Sequence, residues 1–265
     1  MSYSSPTLTF SLDVLNGADF DLSATYGKGE TERCVETPWV AKTFAEAERV
    51  LDIGLAMSHP DYLGLMIGFL NKGGVIEGAD IIKPERVKTR YPEGWRDQIL
   101  EIPVHIGDVR KMDFSDKPFD AITCISTLEH IGFDAPSDRT DTAFDRPTEL
   151  DDLPGRSPEA DRDALAAFRK ALKPGGVLCL TVPGGEGATR TIQDSTGRWA
   201  AYLEYGPETW PALASLPGFE LVELVGFSEQ EEGWKACEPF EKVYEASVGD
   251  DGFPRGCIMA MLKAV

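Results

Sequence analysis

The sequence predicts an α/β fold built on a doubly wound, mostly parallel sheet that ends in an antiparallel strand pair. Three observations predict it. Short apolar runs recur along the chain and alternate with helical stretches or long connections, the order that lays parallel strands side by side with helices over both faces. The runs are apolar throughout rather than at every second residue, as strands buried on both faces must be. Towards the C-terminus the alternation stops. Two runs, Phe219 to Val225 and Cys257 to Leu262, have no convincing helix between them and are predicted to pair antiparallel.

After an irregular start, residues 30–48 have helical character, and a strand follows over Arg49 to Ile53, running into Gly54. A helix is predicted over 61–70, because Leu63, Met66, Ile67 and Leu70 recur at helical spacing before Gly73 and Gly74 stop it. Further strands are predicted at 75–80, 102–106, 119–125 and 177–182, the last preceded by a helix over 161–172. Residues 133–159 differ in kind: rich in Asp, Pro, Arg and Thr and without periodicity, they lie between the fourth strand and its helix. An insertion there stands at the carboxyl edge of the sheet, where ligands bind in open α/β folds, and is expected to act as a lid. The expected organisation is an N-terminal extension and helix over 1–47, packed on a main domain over 48–265 that carries this insertion.

Composition narrows the function classes. Apolar residues make up 42% and charged residues 27%, so the chain can bury a core and is not a disordered one. No apolar run approaches the roughly 20 residues of a membrane helix, and the first residues lack the basic and apolar regions of a secretory signal. The expectation is a cytoplasmic protein with no membrane partner, in which assembly with like copies is allowed. The net charge of −19 disfavours nucleic acid, whose binding draws its affinity from basic residues on phosphates. Five scattered cysteines show no pairing that suggests a disulfide framework or zinc cluster, so no metal is expected from them.

A nucleotide-like cofactor needs close backbone approach after the first strand and an acid for ribose hydroxyls after the second. Leu51-Asp52-Ile53-Gly54 and Asp80 stand at those places. Beyond them come Gly107-Asp108-Val109-Arg110, then Met112-Asp113-Phe114, the Phe119-Asp120 pair opening strand four, and Ser126-Thr127-Leu128-Glu129-His130-Ile131 closing it. Leu172-Lys173-Pro174-Gly175-Gly176 precedes strand five. This order of motifs, over about residues 48–182, resembles the S-adenosylmethionine-dependent methyltransferases of the Rossmann-like class.

The resemblance implies S-adenosylmethionine as cofactor, with Asp52 and Gly54 at its methionine end, Asp80 at the ribose, Asp108 and Val109 at the adenine, and Ser126 on the pocket floor. It implies methyl transfer to an oxygen, less readily a nitrogen, of a small molecule, with bacterial enzymes acting on sugars or secondary metabolites as the nearest likeness. His130, beside the expected methyl position, is the first candidate for general base, and Glu129 would orient it or bind the acceptor. His59 is the second candidate, and His105, inside a strand, is expected to be structural. The usual glycine-rich turn continues here as Leu55-Ala56-Met57-Ser58-His59, a departure that bears on the cofactor's pose. Two rivals remain: an NAD(P)-dependent oxidoreductase, which would want the full glycine fingerprint, and a methyltransferase-like binding protein without catalysis. Asp134, Asp138, Asp141 and Asp145 near His130 offer oxygen ligands for magnesium, but acidic loops usually bind none, and no metal is expected.

Overall fold

In the computed structural model every predicted strand is present and starts within two residues of its expected position, except the one expected over 177–182, which begins five residues earlier at Leu172. The structure describes every residue except 1–2, 115, 117, 134–142, 145–154, 194–198, 216, 247 and 250–251. Strands β1 (Arg49–Ile53), β2 (Val75–Asp80), β3 (Val104–Ile106) and β4 (Phe119–Ile125) are parallel neighbours in the order β4-β1-β2-β3. A short β5 (Ala143–Phe144) lies outside that sheet, and β6 (Leu172–Pro183) extends it beyond β4, again in parallel. The chain moves outward from β1 to β3, then returns to lie on the other side of β1. The crevice between the carboxyl ends of β1 and β4 is therefore the switch point of the sheet.

The expected antiparallel closure is present and longer than the sequence suggests. After β7 (Thr189–Gln193) and β8 (Trp199–Leu203), strand β9 (Phe219–Gln230) forms a hairpin with β10 (Gly233–Ala236), and β11 (Gly256–Ala264) inserts antiparallel between β9 and β6. Its side chains Ile258, Met259 and Ala260 are fully buried, which is why this last run reads as continuously apolar.

Helices cover both faces. On one lie α1 (Pro6–Leu15), α2 (Arg33–Glu46) and α3 (Pro60–Asn71), whose Val35, Trp39, Phe44, Leu63 and Met66 form one apolar cluster with the sheet. The short α4 (Pro84–Val87) and α5 (Arg96–Glu101) follow β2, and Ile99 of α5 joins that cluster. On the other face α6 (Ala160–Ala171) and α7 (Thr209–Ala214) supply Leu165, Phe168, Trp210 and Leu213 to a second cluster. α3 starts with a Pro at its first position and stops at Gly73, held at φ +91°, where a side chain would be strained.

Two readings need correction. Residues 6–15 were expected to be irregular but form α1: Ser5 caps it by accepting from the Leu8 amide, and Pro6 starts it. Thr and Ser within the segment mask the helical period that its burial on α2 and α3 enforces. A second, antiparallel sheet of order β5-β8-β7, absent from the sequence reading, lies beyond the carboxyl end of β6. Most of the expected lid over 133–159 lies outside the described residues.

Candidate active site

Gly54 ends β1 at φ +90°, and a methyl at its Cα would stand 2.4 Å from Thr127 Oγ1. Glycine is thus required twice over, by backbone conformation and by the approach of the β4 loop. Leu55 points into the core, and Ala56, one of the small residues where further glycines usually stand, is buried with it, leaving a short 3-10 turn over Leu55–Met57. Asp80 reaches back to this turn. Its Oδ2 accepts from the Ala56 amide at 2.8 Å and its Oδ1 from the Ile82 amide at 2.8 Å. Burial raises the Asp80 carboxyl above its ordinary range. Each of its oxygens keeps capacity for one further donor, which is what a ribose diol offers.

The other expected cofactor residues are arranged differently from one another. Asp52 is fully buried; its Oδ1 accepts from Tyr62 Oη at 2.6 Å and Thr123 Oγ1 at 2.9 Å, while Oδ2 has no protein partner. Burial pushes its carboxyl up to about 7. Asp108 caps the turn over Val109–Lys111 and holds the Arg110 guanidinium through both oxygens, at 2.9 Å each. Burial opposes its ionisation, but the Arg110 and Lys111 contacts prevail and lower the carboxyl below its ordinary range. Val109 is packed in the core beneath.

Ser126 follows β4 at φ +44°, a conformation rare outside glycine and often found at functional sites. Its hydroxyl donates to Glu36 Oε1 at 2.8 Å, and its amide donates to Thr181. Ser126, Glu129 and His130 line a cavity of about 70 Å³ at the carboxyl end of β4, together with Glu32, Arg33 and Glu36 from the start of α2, Tyr202 of β8 and Cys257 of β11. The ring of His130 is fixed by the second sheet. Its Nδ1 lies 2.7 Å from the Ala201 carbonyl, and Tyr202 packs edge-on against it. Burial lowers the basicity of the imidazole and keeps it neutral.

The cavity is strongly acidic. Glu32, Glu36 and Glu129 are 6%, 0% and 3% exposed. Glu36 is fully engaged, by Ser126, by the Cys257 thiol at 3.4 Å and by the Arg33 guanidinium. Glu32 meets Arg33 through Oε1 at 3.6 Å, but its Oε2 and the Oε2 of Glu129 have no hydrogen-bond partner. Burial raises the Glu32 carboxyl and holds that of Glu129 well above the usual carboxylate range.

The structure brings His130, Glu129 and Ser126, three of the expected site residues, to one cavity, and adds Glu32, Arg33, Glu36 and Tyr202, which the sequence reading does not name. A signal for Glu36 existed: it interrupts the apolar stripe of Val35, Trp39 and Val40, and a charge on a buried helix face has a partner or a task. His59 instead caps α3, its Nδ1 accepting from the Asp61 amide at 3.3 Å. His105 pairs with Glu77 at 2.8 Å and stacks edge-on with Phe114, on the far side of the sheet's order. Asp134, Asp138, Asp141 and Asp145, the acids weighed as magnesium ligands, lie outside the described residues. Among the described residues no helix is long and apolar enough to cross a membrane.

No protein-family model and no curated protein matches the chain. Solved structures do. An S-adenosylmethionine-dependent methyltransferase from Methanosarcina mazei is similar over 83% of this chain and 93% of that one, at 13% identity and a TM-score of 0.50. A Pyrococcus horikoshii protein is similar over 86% of this chain and 87% of its own, at 15% identity and a TM-score of 0.49. The CcbJ methyltransferase from Streptomyces caelestis is similar over 99% and 97%, at 15% identity and a TM-score of 0.47. The first of these likenesses shows the fold: a Rossmann-like sheet of the methyltransferase kind, with its antiparallel closing strands.

Proposed function

We propose that this chain is an enzyme that takes the methyl group of S-adenosylmethionine and passes it to a small-molecule acceptor. One observation carries the reading: on the fold of a methyltransferase, Gly54, Asp80 and Ser126 surround the switch-point crevice, and a buried polar cavity holding a neutral histidine opens beside it. When bound, the cofactor supplies a sulfonium methyl group for in-line displacement. The chain's own residues then bind and orient. Asp80 accepts the ribose hydroxyls, Ser126 and Gly54 border the methionine end, and the backbone around Asp108 and Val109 flanks the adenine. Holding acceptor and methyl at attack distance can contribute roughly 7 to 11 kcal/mol.

His130 is the general base of this reading. A carbonyl only accepts, so Nδ1 carries the proton and Nε2 presents a lone pair for the acceptor's proton. Glu129 borders the same cavity and binds the acceptor.

A dinucleotide fits less well. Its pyrophosphate would sit at the start of α3, where the Asp61 carboxylate, 4% exposed, already accepts from Tyr3 Oη at 2.9 Å and from the Ser5 hydroxyl. A second anion there would meet like charge. Thermal unfolding with S-adenosylhomocysteine, NAD and NADP separates the readings, because a ligand that binds only the folded state raises the midpoint. Stabilisation by S-adenosylhomocysteine alone is expected; stabilisation by NAD or NADP in its place rejects the proposal. Asp80→Ala is expected to weaken S-adenosylhomocysteine binding at least about tenfold, the loss of one or more charge-assisted hydrogen bonds. Undiminished affinity in that variant removes Asp80 from the cofactor site.

A further inference from the structure

We infer that the acceptor presents a protonated amine, and that Glu32 and Glu129 are the residues that select it. The inference rests on the methyltransferase reading and names the substrate class of the same site. It starts from an imbalance of charge. Glu32, Glu36 and Glu129 border one small cavity, and the guanidinium that lines it with them, Arg33, is engaged most tightly by Glu36. Two carboxyl oxygens, Glu32 Oε2 and Glu129 Oε2, are buried without any partner. Leaving such groups unsatisfied is costly, more so when charged, and a ligand donor that completes them removes that cost.

The donor that completes them is defined by what they lack. Without a ligand, burial favours the neutral acids of Glu32 and Glu129; an ammonium, with three donors and a compensating positive charge, stabilises both as accepting carboxylates. A hydroxyl offers one donor and no charge, so it leaves the two carboxyls as neutral acids and gains none of the ion pairing an ammonium does. Size agrees. About 70 Å³ is the share of roughly two waters, room for an ammonium head and its first carbon, with the remainder of the molecule directed outward.

The chemistry balances. The ammonium gives one proton to Nε2 of the neutral His130, which becomes imidazolium. The nitrogen lone pair then forms the new N–C bond as the C–S bond breaks, and that electron pair stays on sulfur as a neutral thioether. The methylated ammonium left behind carries the charge the sulfonium lost. Nitrogen thus takes precedence over the oxygen that sequence likeness ranks first.

Matched probes test this: butylamine against 1-butanol, and glucosamine against glucose, each added to the protein with and without S-adenosylhomocysteine and with sodium chloride matching ionic strength. Each amine is expected to raise the unfolding midpoint by about 2 °C or more over its alcohol partner. The difference should vanish in Glu32→Gln and Glu129→Gln, which keep shape and remove charge, while S-adenosylhomocysteine binds both variants as it binds the wild type. Equal shifts from amine and alcohol, no shift from either amine, or a preference that survives both substitutions would each overturn the inference. Stabilisation by magnesium chloride that Glu129→Gln abolishes would overturn it in favour of a metal. Amine binding without any S-adenosylhomocysteine binding would leave the amine-selecting acidic pocket standing and reject methyl transfer; the opposite result would do the reverse.

Discussion

The Nδ1 atom of His130 lies 2.7 Å from the carbonyl oxygen of Ala201, and this one contact fixes the tautomer of the candidate base. The two residues come from different sheets. His130 ends the turn after β4 and Ala201 lies in β8, so the antiparallel second sheet positions the ring and leaves Nε2 as its accepting atom.

From this contact follows a distinction between two variants. His130→Ala removes ring and base, whereas His130→Asn retains an amide donor for the Ala201 carbonyl and removes only Nε2. Both are expected to lower kcat by about 10² to 10⁴ with S-adenosylhomocysteine affinity unchanged, the range of a lost general base. Near-normal turnover in His130→Asn would assign the histidine to packing. Because burial lowers the imidazole below its ordinary 6.5, the acid limb of kcat should lie under that pH, with a plateau above it.

Gly54 and Thr127 form a second testable pair. Gly54→Ala places a methyl 2.4 Å from Thr127 Oγ1 and forces an L-residue to φ +90°, itself a cost of about 1 to 2 kcal/mol. The unfolding midpoint should drop by several degrees, about 2 to 4 °C per kcal/mol in a chain of this size. Adding Thr127→Ala relieves the clash and not the backbone strain, so the double variant should recover part of the loss, with a coupling energy of about 0.5 to 3 kcal/mol. Strict additivity would show that the close approach contributes nothing.

Asp52 makes stability depend on pH in a direction opposite to an ordinary surface carboxylate. Its folded value, about 7, exceeds the 3.8 of the free side chain because burial favours the neutral acid. The folded state therefore holds a proton that the unfolded chain has released. This contribution is complete below 3.8 and is lost as pH rises through 7. Asp52→Asn keeps an acceptor for Tyr62 and Thr123 and cannot ionise. Relative to wild type it should gain stability between pH 4 and pH 8, by on the order of 4 kcal/mol at the upper end. A constant difference across that range would show that Asp52 does not titrate on folding.

Much of this molecule can be read without its structure. The strands β1, β2, β4 and β11, the helices α3 and α6, and the antiparallel closure follow from periodicity and punctuation, because a residue's burial there is set by its position in a regular repeat. Gly54, Asp80, Ser126, Glu129 and His130 are legible for the same reason: each stands at the end of a strand, and strand ends of a parallel sheet share one edge. Tertiary structure alone brings Glu32 and Glu36 to Glu129, nearly a hundred residues away in the chain, and sets Ala201 against His130. No local pattern encodes such meetings. They depend on which helix covers which face and on a second sheet of short strands, and those are decided by the packing of the whole core. Two carboxyls without partners acquire a meaning only once the shared cavity between them is known.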